Sequence, residues 1–202
     1  MGVRAVPKKT FFNLEPEKRE AIVAAAVREF AEHPFEQASL TKIVESCGIA
    51  KGSMYQYFED KKDLYLYIVD LAYEQKKAYV GPAFSIPGDI FDVLNEYYRR
   101  SYQFALDHPL LHQVANKFWD SSSEALRMEL EKGRLSRARD FARVLEEAMD
   151  EGAVNAGLDP EAVFFVYHAV GKELIDQFHQ GCDDQFLQQV LDVLKYGLAA
   201  RN

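Results

Sequence analysis

Residues 39–58, which read SLTKIVESCGIAKGSMYQYF, contain the pattern that decides the fold. Ser39 is a residue type favoured at helix N-caps, and the apolar residues after it are spaced along one face of a short helix. Gly48 supplies the left-handed backbone conformation that a tight turn needs. A second short helix is expected over residues 50–57. The segment therefore predicts two short helices joined by a glycine turn.

Helices of this length do not persist alone, because helix nucleation is costly and few turns offset it. The upstream segment, residues 15–32, predicts a longer helix, which ends because Pro34 disfavours a helical conformation in the residue before it. Its apolar face can pack on both short helices. The expected core consists of Val23, Val27, Phe30, Leu40, Ile43, Val44, Ile49, Met54 and Phe58. Three helices packed in this way form a helix-turn-helix unit.

The outward face of the second short helix carries residues suited to DNA. Lys51 can neutralise a phosphate, and Gln56 can present a donor and an acceptor to an adenine edge in the major groove. Gly52 lacks side-chain bulk, so the backbone can approach DNA closely. A solvated polar face would also explain the lysine, serine and glutamine, but not two exposed tyrosines in so short a helix. The candidate residues on this helix are Lys51, Gly52, Ser53, Tyr55, Gln56 and Tyr57.

The net charge of −8, taken alone, disfavours a nucleic-acid partner, because a negative protein repels phosphate. The charge is unevenly distributed: residues 1–65 hold 10 Lys and Arg against 10 Asp and Glu, whereas residues 66–202 hold 14 against 22. A neutral N-terminal part with a basic tip would face a polyanion in one orientation. A chance asymmetry on a solvated surface would give the same counts.

Helical periodicity recurs along the rest of the chain, without sustained period-2 alternation or a hairpin turn signal. Gly, Pro and Ser residues separate the helical segments. The chain is therefore predicted to be all-α. Further helices are expected over residues 60–79, 89–106, 109–118, 122–151, 160–180 and 184–200.

A longer set of motif residues surrounds the glycine turn: Phe30, Phe35, Ser39, Ile43, Cys47-Gly48-Ile49, residues 51–58, Lys61 and Leu64. This set closely resembles the TetR/AcrR family of bacterial regulators. The resemblance covers roughly residues 15–65. It is most specific in KGSMYQYF, residues 51–58, which matches the family's recognition helix at nearly every position. The remaining residues are similar to the family only in length and helical pattern.

The resemblance implies a DNA-binding domain over residues 1–62 and a helical ligand-sensing and dimerisation domain over residues 63–202. It implies that Ser39 and Thr41 lie near the DNA backbone at the start of the first short helix. Lys51, Ser53, Tyr55 and Gln56 would enter the major groove, and Tyr57 and Lys61 would contact the backbone. Arg4, Lys8 and Lys9 would form a flexible arm able to follow the groove or the phosphates.

The two C-terminal helices carry more apolar residues than one packed face can bury. The family resemblance implies a homodimer through residues 160–200, although burial inside one large monomer core would also account for the pattern. A small-molecule effector is implied for the helices between residues 89 and 151. Its candidate contacts are Tyr98, Tyr102, His112, Trp119 and Phe141, although a core role is favoured for any one of them taken singly.

Other kinds of site find little support. No nucleophile–base pair, glycine-rich phosphate loop or carboxylate cluster is present, so we predict no enzymatic activity and no cofactor. His108 and His112 have the spacing of two metal ligands, but no third ligand is apparent, so no metal is predicted. The distant Cys47 and Cys182, with no membrane span and no signal segment, favour a cytoplasmic protein.

Three functions therefore remain under consideration. The favoured one is a transcriptional regulator, most often a repressor in this family, that binds a palindromic operator as a homodimer and responds to an effector. The second is a constitutive or architectural DNA-binding dimer without an effector. The third is a helical small-molecule-binding protein with a vestigial helix-turn-helix, against which the intact polar face of residues 51–57 argues.

Overall fold

The computed structural model describes residues 7–121, 126, 128, 145–178 and 184–198. Within these ranges every regular secondary-structure element is a helix, and none is a strand. A 3₁₀ helix, Gly81–Ser85, follows the fifth α-helix. The α-helices are α1 (Lys9–Phe12), α2 (Pro16–Glu32), α3 (Leu40–Ser46), α4 (Lys51–Met54), α5 (Lys61–Val80), α6 (Ile90–Asp107), α7 (Pro109–Ser121), α8 (Pro160–Phe178) and α9 (Asp184–Leu198).

The chain forms two compact units. The first comprises the described residues of Met1–Gln75 and His108–Arg134, and the second those of Lys76–Asp107 and Leu135–Asn202. These units reflect packing. The functional boundary between residues 62 and 63 stays a prediction.

The first unit is built around α2, which packs on α3 and on α7. Phe30, Met54 and Phe58 are at most 1% exposed in its core. Each such side chain contributes about 1.5–3 kcal/mol when removed from water. This burial, rather than intrinsic helix propensity, stabilises a helix as short as α4. The predicted core is confirmed: Val27, Phe30, Ile43, Val44, Met54 and Phe58 are buried, and Val23, Leu40 and Ile49 pack against them half-buried.

The second unit is built around α6, which packs on the 3₁₀ helix, α8 and α9. Its core includes Leu94, Tyr98, Val163, Leu174 and Leu187. The N-terminus of α6 is capped by Asp89, whose Oδ1 accepts the backbone N–H groups of Phe91 and Asp92. A side-chain acceptor at this position satisfies N–H groups that the helix itself leaves free.

The predicted helices agree with the structure within a few residues, with two exceptions. Helix α4 ends at Met54, so residues 55–57 form a turn rather than the last helical turn. Helix α1 was not predicted, since four residues carry too little periodicity to identify a helix. Of the helix expected over residues 122–151, only positions 126, 128 and 145–151 fall among the described residues, and all of these except 151, which lies in a turn, are helical. None of the described helices combines the length and the apolar character needed to cross a membrane.

Candidate DNA-binding surface

The start of α3 is held by two side chains. Ser39 Oγ accepts the backbone N–H of Lys42 at 3.3 Å, which confirms the predicted N-cap. The backbone N–H of Ser39 itself donates to Glu29 Oε1 at 2.7 Å. Glu29 is only 7% exposed, and a buried carboxylate at a helix N-terminus is favoured by the helix dipole. Thr41, in the first turn of α3, is exposed.

Glu29 is a site residue that our sequence analysis missed. It follows Ile22 and Ala26 at helical spacing and precedes Phe30, so it lies on the apolar face of α2. A charged residue on such a face needs a buried partner. That spacing was the signal that could have identified it.

The turn between α3 and α4 depends on Gly48, whose φ of 66° is in the left-handed region. The N–H of Ile49 donates to the carbonyl of Val44 at 3.0 Å, which closes the end of α3. Cys47, immediately before the glycine, is half-buried, and its Sγ donates to the carbonyl of Ile43 at 3.1 Å. Burial raises the pKa of the Cys47 thiol. The thiol is therefore mainly protonated at neutral pH and a weak nucleophile.

Helix α4 and the turn after it present the predicted polar face. Lys51, Gly52, Tyr55 and Gln56 are exposed, and Ser53 is half-buried. Met54 anchors the other side of the helix in the core, with 1% exposure. A Cβ added at Gly52 would meet no described atom within 4 Å, so packing inside the protein does not require glycine there.

Tyr57 does not share this exposed face. It is 6% exposed and lies against Phe11, with the two ring centres 6.3 Å apart. The expectation of two exposed tyrosines was therefore wrong for Tyr57, because α1, which was not predicted, covers it. Tyr55 is 46% exposed. A contact between Tyr57 and the DNA backbone stays a prediction.

Lys61 begins α5, and its ammonium group donates hydrogen bonds to backbone carbonyls of the same chain. Its Nζ donates to the carbonyls of Phe35 at 2.6 Å and of Ala38 at 3.0 Å. It also lies 4.5 Å from the centre of the Phe35 ring. Lys61 therefore stabilises the loop that leads into the Ser39 cap. A contact between Lys61 and a phosphate of the DNA backbone stays a prediction.

The N-terminal basic residues differ from the flexible arm that we expected. Lys8 is held by its backbone N–H, which donates to the carbonyl of Tyr57 at 2.8 Å, and by an ion pair of 2.9 Å with Glu59. Lys9 is exposed and begins α1. The prediction of a flexible arm is therefore wrong for these two lysines. Arg4 lies outside the described residues.

The candidate effector residues belong to different helices. Tyr98 and Tyr102 lie on α6 in the second unit, where Tyr98 is 4% exposed and donates its hydroxyl to the carbonyl of Tyr167 at 2.6 Å. His112 and Trp119 lie on α7 in the first unit; His112 is 4% exposed and Trp119 38%. Phe141 lies outside the described residues. A role in effector binding stays a prediction for all five.

His112 Nε2 lies 3.1 Å from Asn116 Nδ2 on the same helix. In the described ranges, no group of three or more His, Cys, Asp or Glu side chains could hold a metal ion. An open groove of about 650 Å³ lies between α2 and α3, and none of the five candidate effector residues lines it.

Two short helices joined by a glycine turn, packed on a longer third helix, define a helix-turn-helix protein. A family model described as bacterial regulatory proteins of the tetR family matches residues 22–68. A TetR-family transcriptional regulator from Chloroflexus aurantiacus is 30% identical, with a TM-score of 0.78, over 97% of this chain and 100% of that one. The chain therefore belongs to the tetR family of bacterial transcriptional regulators.

Two relatives that are named as repressors match only about a quarter of this chain. The transcriptional repressor BepR of Brucella suis is 41% identical over 56 residues, and the repressor AcnR of Corynebacterium diphtheriae is 37% identical over 49. These matches span 27% and 26% of the two relatives, and 28% and 24% of this chain. A TetR-family regulator from Marinobacter aquaeolei, 22% identical over 91% of this chain and 96% of that one, shares the fold with a TM-score of 0.70.

Proposed function

We propose that this chain binds a palindromic operator as a homodimer and represses transcription until an effector binds. The observation that carries the proposal is the polar surface formed by α4 and the turn after it, where Lys51, Tyr55 and Gln56 are exposed while Met54 is buried in the core. Lys51, Tyr55 and Gln56 provide a charge, a hydroxyl and an amide on that surface. These groups suit phosphate contacts and base readout in the major groove.

The direction of regulation is inferred from relatives. BepR and AcnR are both named as repressors, and each matches about a quarter of this chain. A bound dimer at a promoter excludes other proteins from the same DNA, which is the simplest way for such a unit to repress. We therefore propose repression rather than activation.

Exposed apolar side chains on α8 and α9 support the homodimer. Phe165 is 72% exposed, Val193 73% and Tyr196 77%. Large apolar side chains this exposed, on helices whose other residues pack in the core, indicate a surface that a second copy covers. A homodimer would also place two recognition helices against two half-sites.

A buried hydroxyl on α6 supports an effector site in the second unit. Ser101 is 1% exposed, and its Oγ has no hydrogen-bond partner within the described ranges. A buried hydroxyl without a partner costs free energy, so a polar group on a ligand would be favoured there. We propose that Ser101 lies at the polar end of the effector site.

Selection of duplexes from a randomised library with the full-length protein tests operator binding. We expect one enriched palindrome whose half-sites lie about 34–36 Å apart or a multiple of that distance. Gln56→Ala should relax preference at one base position by about 1–3 kcal/mol. Gln75→Ala, the same change at an exposed position on α5, is the control. Failure to enrich any sequence would contradict the proposal.

Light scattering tests the dimer. Val193→Glu should shift the wild-type dimer mass toward the monomer, because it places a charge in the proposed apolar interface. Leu174→Glu would instead disrupt folding, since Leu174 is 5% exposed in the core of the second unit. A monomeric wild type at micromolar concentration would overturn the homodimer.

A thermal-shift screen of small metabolites tests the effector. A compound that binds only the folded protein raises its unfolding temperature. Ser101→Ala should leave the free protein at least as stable, because no partner of the hydroxyl is lost, and should reduce the shift given by a hit. A hit that shifts Ser101→Ala as much as the wild type would remove Ser101 from the site. No hit would favour a constitutive DNA-binding dimer.

A further inference from the structure

The N-terminal segment donates hydrogen bonds to three consecutive carbonyl groups just beyond α4. The backbone N–H of Lys8 donates to the carbonyl of Tyr57 at 2.8 Å, and Lys8 Nζ donates to that of Tyr55 at 2.9 Å. Thr10 Oγ1 donates to the carbonyl of Gln56. The whole turn that carries Tyr55 and Gln56 is therefore bonded to residues 8 and 10.

Aromatic packing anchors this segment on the first unit. Phe11 is fully buried, and its ring centre lies 5.0 Å from that of Phe58 and 5.5 Å from that of Tyr67. We call residues 8–11 the N-terminal strap. Because Phe11 is fixed in the core, the donors of Lys8 and Thr10 are held in place beside the turn.

The turn needs such support for a physical reason. Helix α4 has only four residues, too few to persist through its own hydrogen bonds. The carbonyls beyond its C-terminal end have no helical partners. A lysine ammonium there is also favoured by the helix dipole. The strap therefore supplies the hydrogen-bond donors that these carbonyls lack within the helix.

We propose that the N-terminal strap positions the recognition turn for operator readout, with Lys8 and Thr10 as positioning residues that do not themselves contact DNA. This inference rests on the proposed DNA-binding function. It assigns to Lys8 a role opposite to that of a flexible arm, because its donors are directed to backbone carbonyls and to Glu59 rather than to phosphate.

Thr10→Val tests the proposal, since it keeps the shape of the side chain and removes the hydroxyl donor. Loss of one hydrogen bond predicts operator binding about three- to tenfold weaker. Discrimination against a duplex changed at the base that Gln56 reads should fall by a similar factor. The dependence of affinity on salt should stay as in the wild type, because no charge is removed. Thr10→Ser, which keeps the donor, should restore both properties.

Lys8→Met and Lys9→Met separate positioning from phosphate binding. A lysine bound to a phosphate would, when removed, flatten the slope of log affinity against log salt by about one unit. Lys8→Met should keep the wild-type slope and lose discrimination. Lys9→Met removes the same charge from the neighbouring exposed residue and should keep discrimination. A flattened slope for Lys8→Met would show a direct phosphate contact and overturn its positioning role.

Amide hydrogen exchange reports on the turn without DNA. The N–H groups of Tyr57 and Phe58 both donate to the carbonyl of Met54. Their exchange should be faster in Thr10→Val and Lys8→Met while the unfolding temperature changes little. If both variants kept wild-type exchange and wild-type discrimination, the positioning role of the strap would be wrong, whereas the proposal of operator binding would still stand. A wild type that selects no duplex would instead overturn the proposed function.

Discussion

Gly171 of α8 lies directly against the ring of Tyr98 on α6, so that a Cβ at residue 171 would overlap Tyr98 Cε1. Tyr98 also stacks on Tyr167, with ring centres 6.1 Å apart and planes 9° from parallel. Its hydroxyl donates to the backbone of α8 through the Tyr167 carbonyl. Burial raises the pKa of the Tyr98 hydroxyl, which therefore stays protonated as a donor. Tyr98 thus joins α6 to α8 as a core residue.

Gly171→Ala should therefore destabilise the protein. The added methyl group overlaps an aromatic ring in a packed core, and such overpacking costs about 1–3 kcal/mol. Chemical denaturation with both helical content and fluorescence as probes measures the change. Tyr98→Leu in the same background should relieve the overlap, so the two substitutions together should be less destabilising than their sum. Additive effects would show that residues 98 and 171 do not contact.

The ion pair between Asp89 and Lys195 predicts a pH dependence of stability. Lys195 Nζ lies 3.2 Å from Asp89 Oδ2. Partial burial acts to raise the pKa of Asp89, but hydrogen bonds from the Asp92 and Phe91 backbone and from Lys195 outweigh it and lower the pKa. A depressed folded pKa gives stability that is present above the ordinary Asp value of about 3.9 and is lost as the pH falls through the folded value.

Asp89→Asn isolates this contribution, because asparagine can still cap α6 but carries no charge. The variant should be less stable than the wild type at neutral pH, and the difference should shrink as the pH falls below about 4. Half-exposure of both side chains keeps the effect small and sensitive to salt. Urea titrations at a series of pH values measure it. A difference that stays constant down to the acid limit would contradict the assigned cause.

The helix-turn-helix was largely predictable from the sequence, because local signals and core packing agree there. Ser39 is a cap, Gly48 has a positive φ, and Ile43 and Met54 are buried, as the residue types and spacing predicted. The exposed face of α4 followed from the same periodicity. Only Tyr57 departed from it, because a contact with a residue distant in sequence determines its burial.

The hydrogen bonds around the recognition turn could not be predicted. Thr10 lies 46 positions from Gln56, and Lys61 lies 26 positions from Phe35. Neither pair has a spacing that local periodicity detects. Lys61 illustrates the difficulty, since its residue type predicted a phosphate contact but gave no sign of the bonds to carbonyls of its own chain.

Lys61→Met and Lys51→Met should consequently have different effects on the stability of the protein and on the salt dependence of operator binding. Loss of the carbonyl contacts of Lys61 should lower the free energy of unfolding by about 1–2 kcal/mol. Lys51 is exposed, so its variant should stay within about 0.5 kcal/mol of the wild type. Lys51→Met should instead flatten the salt slope of operator binding by about one unit. If Lys61→Met were as stable as the wild type, the role of Lys61 in supporting the loop before α3 would be wrong.

Gly52→Ala should have opposite effects on folding and on DNA binding. Glycine in a helix costs up to about 1 kcal/mol relative to alanine, and the added Cβ would meet no described atom within 4 Å. The variant should therefore be as stable as the wild type or a few tenths of a kcal/mol more stable. This outcome contrasts with Gly171→Ala, the same chemical change at a helical position without space.

A glycine that the fold does not need indicates a partner outside the protein, and we propose that this partner is the DNA backbone. Operator affinity should fall severalfold in Gly52→Ala although the protein is no less stable, which anisotropy titration and thermal unfolding of the same preparation can establish. Undiminished affinity would show that the α4 backbone does not approach DNA closely at this residue.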